Sequence, residues 1–161
     1  MTELSTPAKP KRLISLDALR GFTIAAMVIV NDPGTWEHVY WPLRHADWNG
    51  CTITDLIFPF FLFMVGVSIA LAYSKRMEAK VPKKSIYKKI IIRSINIYLL
   101  GLFLWLFPEF DFGAIRWVGV LQRIAFGFLA CALIFLHTNW KQQIKIGSII
   151  LLLYWIVMAY I

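Results

Sequence analysis

The chain has 161 residues, 59% of them hydrophobic and 16% aromatic, with a formal charge of +8 and a mean hydropathy of +0.65. Soluble domains are about 45–50% apolar, so this excess, gathered in long blocks, excludes an ordinary water-soluble globule. The positive charge does not point to nucleic acid, because it falls between the apolar blocks, where membrane proteins carry their topology signals.

Residues 1–12 form a polar tail with Lys9, Lys11 and Arg12 between prolines. Its composition suits a cytoplasmic tail. Leu13–Asn31 is the first expected span, with Ser15 as cap and Asp17 in the first turn, where the helix dipole favours a carboxylate. Asp17 and Arg20 lie three apart and can pair; alternatively Arg20 receives a phosphate. Asp32-Pro-Gly ends the segment. Asn31 closes it, either as a helix cap or as a polar group on the side of the loop that follows.

That loop, Asp32–Thr52, is unusually long for a segment without its own secondary structure, and such loops are more often functional than idle. It carries Trp36, Tyr40, Trp41 and Trp48, which suit an interfacial belt or a sugar-stacking face. It also carries the candidate chemistry. His45 can serve as a general base or as a nucleophile near neutral pH. Asp47 or Asp55 can orient its ring, as the third member of a triad orients the base. The bland alternative is an interfacial histidine that merely hydrogen-bonds a neighbour. Asp55 has a structural reading too, because Thr52-Ile-Thr-Asp55 fits a capping box. A metal site from His38, His45 and Asp47 matches no standard ligand spacing. Cys51 and Cys131 are too few for a disulfide framework. Nothing in the sequence activates Cys51 as a nucleophile.

Ile53–Tyr73 is the second span, kinked by Pro59, with Gly66 and Ser68 offering close packing to a neighbour. Ser74–Lys89 is a basic loop. Ile90–Phe107 is the third span and contains Asn96. Pro108–Ile115, with Glu109 and Asp111, is a short connection. The fourth span is Arg116–Leu136. Arg123 lies seven residues inside it, about 10 Å along the helix, and a charge at that depth faces a cavity or a partner. Gln122 adds a polar step beside it. His137–Lys145 is a polar loop. Ile146–Ile161 falls short of the roughly 20 residues that cross a bilayer, so the last span reads as incomplete and the chain as an N-terminal portion. The expected fold is therefore all-α: a polytopic transmembrane bundle of about five spans over residues 13–161. Lysines cluster in the tail and in the second and fourth connections. The positive-inside rule then places the tail in the cytoplasm and the His45 loop outside.

Several of these stretches, in this order, resemble the heparan-alpha-glucosaminide N-acetyltransferase family. They are Ser15-Leu-Asp-Ala-Leu-Arg-Gly21, Met27-Val-Ile-Val-Asn31, His45-Ala-Asp-Trp-Asn-Gly50, Thr54-Asp-Leu-Ile-Phe-Pro-Phe60 and Gly119-Val-Leu-Gln-Arg123. The resemblance implies a membrane acyltransferase. It would move acetyl from cytoplasmic acetyl-CoA to the amino group of a glucosamine-type sugar on the outer side, without a metal. It implies that His45 is the active-site residue and that Asn31 belongs to the site; in the mechanism read from the residues themselves, Asp47 or Asp55 supports the ring. Arg20 or Arg123 would hold phosphates of the donor or the sugar. The partners implied are the bilayer, expected to be a bacterial inner membrane, and a glycan acceptor, with self-association left open. The rival reading is a transporter or channel subunit whose path is lined by Asn96, Gln122 and Arg123. A third is an inactive scaffold.

Overall fold

The computed structural model describes residues 13–47, 50–107, 110, 112–114 and 117–160. The tail, Trp48, Glu109, Asp111 and Arg116 lie outside the described residues. Among the described residues, five long helices carry the fold: α1 (Ile14–Asn31), α2 (Ile53–Glu78), α3 (Lys83–Leu106), α4 (Val120–His137) and α5 (Trp140–Tyr160). Short 3-10 turns cover Trp41–Leu43 and Phe112–Ala114. Each of the five helices is long and apolar enough to cross a membrane. Among the described residues there is no strand. This is the all-α polytopic membrane architecture that the apolar blocks imply.

The helix boundaries differ from the apolar blocks in a consistent way. Basic residues expected in connections sit on helices. α2 continues past Tyr73 through Lys75 and Arg76 to Glu78, and α3 begins at Lys83. The expected basic loop therefore shrinks to residues 79–82. It closes tightly: Val81 donates its N–H to the Arg76 carbonyl at 3.1 Å and Lys80 donates to Met77 at 3.0 Å. Lys80 has φ +51°. This is the paired hydrogen-bond pattern that ends helices in a left-handed residue. α5 likewise starts at Trp140, six residues before the apolar run, and its 21 residues make a full span. That corrects the expectation of an incomplete last helix. Long Lys side chains can lie along a helix end and still reach water, so a hydropathy block marks only the hydrocarbon part of each helix.

Ser15 is not the cap of α1. The cap is Leu13, which makes no side-chain cap bond, and Asp17 lies in the first turn as expected. α1 ends at Asn31, where Asp32-Pro-Gly turns the chain and Gly34 takes φ +78°. Pro59 lies inside α2, and the helix runs on through it. α4 starts at Val120 behind Gly119, four residues later than the sequence block suggested, because Trp117–Gly119 stays outside the helix. Arg123 is consequently about 4–5 Å, not 10 Å, into its helix.

The chain divides within α2 into two compact units, residues 1–64 and 65–161. In the first, α1 and the start of α2 flank the 32–52 loop. In the second, Ile69 and Tyr73 of α2, Ile86 and Ile90 of α3, and Phe128 and Ala132 of α4 form the buried core. α3 and α4 approach closely where Gly101 meets α4. A Cβ on Gly101 would fall 2.8 Å from the Leu121 Cβ and 3.0 Å from the Gln122 amide. Gln122 is itself buried there. Gly66, expected at a close contact, has open space beside it. Among the described residues, none of α5 is buried.

Candidate active site at the start of α2

The site is built by the N-terminal turn of α2 gripping the loop before it. Thr52 stands at the cap, and Ile53, Thr54 and Asp55 form the first turn. First-turn amides of a helix lack intrahelical partners, so polar side chains here bind backbone. Asp55 Oδ2 accepts the Thr52 N–H at 3.0 Å, the acid half of the expected capping box. The same oxygen accepts the Ala46 N–H at 3.1 Å. The Thr52 hydroxyl lies 2.7 Å from the Arg44 carbonyl and 3.0 Å from Asp55 Oδ2, its single proton serving one or the other. Thr54 donates its hydroxyl to the Pro42 carbonyl at 3.2 Å. Both threonines are buried. Pro42, Arg44 and Ala46, alternate residues of the loop, are thus each tied to one turn of helix.

This leaves Asp55 Oδ1, which lies 2.7 Å from His45 Nδ1. The two readings of Asp55 are therefore not rivals. One oxygen caps the helix and anchors the loop; the other holds the histidine. A carboxylate is an acceptor, so Nδ1 carries the proton of the neutral ring and Nε2 keeps a lone pair. The His45 side chain is 67% exposed against 29% for Asp55. The orienting group is thus the more shielded of the two, and among the described residues Nε2 has no hydrogen-bond partner. Oriented imidazoles of this kind act as general bases or nucleophiles.

Beside the ring is a hollow of about 240 Å³ lined by Trp41, Arg44, His45, Asp47, Cys51 and Thr52, among others. Asp47 therefore shares the cavity with His45, but the ring is held by Asp55. Cys51 is a free, exposed thiol there. Asn31 is exposed, and donates one side-chain N–H to the Met27 carbonyl at 2.7 Å, leaving a second N–H available. It does not line the His45 hollow. Arg20 pairs with Asp17 at 3.6 Å, as the three-residue spacing suggested. Arg123 is exposed in the first turn of α4. Among the described residues, no three His, Cys, Asp or Glu side chains gather as a metal site, and His38 does not join His45 and Asp47 in one.

Sequence reasoning singled out His45, Asp47 and Asp55 but missed the clasp by the Thr52 and Thr54 hydroxyls. The available signal was two threonines flanking the first helical position. It is weak, because their backbone targets lie 8 and 12 residues away.

Fold and site together define an integral, multi-pass membrane protein with an Asp-oriented histidine at the mouth of one of its spans. Residues 12–161 match the family model described as heparan-alpha-glucosaminide N-acetyltransferase, catalytic. The chain belongs to this family. It is 35% identical over 132 residues to the heparan-alpha-glucosaminide N-acetyltransferase of Homo sapiens and 33% identical over 128 residues to that of Mus musculus. Those matches cover 79% and 76% of this chain, and 19% of each relative. The chain thus spans about a fifth of the length of the curated relatives it matches.

Proposed function

We propose that this chain carries the histidine centre of a membrane acetyltransferase, which moves acetyl from acetyl-CoA to the amino group of a glucosamine-type sugar. The observation that carries the reading is the 2.7 Å His45–Asp55 contact, with no partner on Nε2 among the described residues, in a chain of this family. In the direct scheme, Nε2 takes a proton from the attacking amine. The new C–N bond forms at the thioester carbonyl, the C–S bond breaks, and the imidazolium returns its proton to the departing thiolate. In the stepwise scheme, Nε2 itself attacks the thioester and carries the acetyl group until the amine displaces it. Both leave the same products, and both need the ring that Asp55 orients.

Asp47, in the hollow beside the ring, supports this reading as a partner for the acceptor's amine or hydroxyls. The remaining N–H of Asn31 is suited to an oxyanion. Arg20 follows the tail and is proposed to meet the donor's phosphates, exchanging its 3.6 Å pairing with Asp17. Arg123 is proposed for a phosphate or the sugar. The charge asymmetry supports a cytoplasmic tail and an outward-facing His45 loop.

The test is incubation of membranes holding the full-length protein with labelled acetyl-CoA and a panel of amino sugars. Label should pass to glucosamine-type acceptors. Sugar accumulation across sealed vesicles without acetyl-CoA, and no transfer, would replace the reading with that of a transporter.

A further inference from the structure

We propose that a groove along α3 binds an anionic phospholipid, with its phosphate between Lys89 and Arg93 and its chain running toward Leu100. The groove measures about 330 Å³ and is lined by Lys89, Ile92, Arg93, Asn96, Ile97 and Leu100. Lys89, Arg93 and Asn96 follow at spacings of four and three, so they share one helix face.

Two cations one turn apart repel and cost helix stability. The neighbourhood offers little to offset this. Residues 75–93 hold eight Lys or Arg and a single acid, Glu78. Arg93 is nonetheless held in place, its Cζ 4.9 Å from the centroid of the Phe128 ring on α4. Phe128 is part of the buried core. A guanidinium lying over a ring keeps N–H groups at its edge for an anion. A phosphate bridging Arg93 and Lys89 converts the repulsion into two charge-assisted contacts.

The rest of the groove selects the source of that phosphate. Asn96, one turn further on, presents an amide suited to an ester carbonyl. Ile92, Ile97 and Leu100 are apolar, on a helix long enough to cross a membrane. From Lys89 to Leu100 the face runs about 16 Å. A polar head followed by an apolar trough fits a lipid, whereas a free phosphate would use only the first turn.

The experiment is native mass spectrometry of the full-length protein in detergent with equal phosphatidylglycerol and phosphatidylcholine. Phosphatidylglycerol should be retained in preference, and Lys89→Gln with Arg93→Gln should lower its retention roughly tenfold. Removing the same charge off the groove, by Lys83→Gln with Lys84→Gln, should leave retention near the parent level. Leu100→Trp keeps both cations and fills the trough, so it should also weaken retention; it guards against a double variant that fails to fold. Equal retention of the two lipids would overturn the proposal. So would equal loss in the Lys83/Lys84 variant, or displacement of the lipid by millimolar inorganic phosphate.

Discussion

The two oxygens of Asp55 divide the work of the site between them. Oδ2 serves the Thr52 and Ala46 amides, and Oδ1 serves His45. Asp55→Asn puts an amide where two or three donors converge, so it both loosens the loop and loses the ring's partner. Acetyl transfer by the full-length protein should fall on the order of 100-fold, the scale of losing well-placed acid–base help. Asp47→Asn leaves the ring held and should act mainly on the Michaelis constant for the sugar. Steady-state kinetics of the two variants separate these effects, and equal kcat losses would contradict the assignment. Much of this was legible in the sequence, because a histidine, two carboxylates and a capping box stood within eleven residues. The choice between Asp47 and Asp55 was not legible. It depends on the loop doubling back onto the helix start, and the Thr52 and Thr54 clasps that enforce this join residues 8 and 12 apart.

Among the helices, the same contrast holds between what composition reveals and what packing decides. All five were visible as apolar blocks, since a bilayer demands long apolar runs. Their ends were not, because Lys75, Lys88 and Lys141 are tolerated on helices that leave the hydrocarbon. The close glycine contact also lies elsewhere than expected: Gly66 has room beside it, whereas Gly101, which the sequence did not single out, sits where α3 meets Leu121 and Gln122. Gly101→Ala pushes a methyl against a Cβ that cannot swing away. It should cost about 1–3 kcal/mol, the usual penalty of overpacking. Gly66→Ala meets no neighbour and should be neutral or gain up to about 1 kcal/mol from helix propensity. Thermal unfolding of the detergent-solubilised protein compares the two, and a larger loss at Gly66 would refute the assignment of the close contact.

For the whole molecule, the prediction concerns sidedness. The proposed topology, with α2 as a span, puts the lysine-rich segment between α2 and α3 on the inner face of the bilayer and the His45 loop on the outer face. Cys51 is an exposed native thiol in the His45 hollow. In the full-length protein with every cysteine other than Cys51 replaced by serine, a membrane-impermeant maleimide should label Cys51 from the outer face of sealed vesicles. Labelling only after the inner face is exposed would invert the topology and place the histidine on the donor's side.

The role of His45 is tested most directly by acetyl transfer from labelled acetyl-CoA to glucosamine by full-length His45→Ala, with inserted, folded protein verified in the same membranes. Without an imidazole at this position neither scheme can run, so turnover should drop about 1,000-fold or more. Turnover within a few-fold of the parent protein would show that the acetyl group passes without His45.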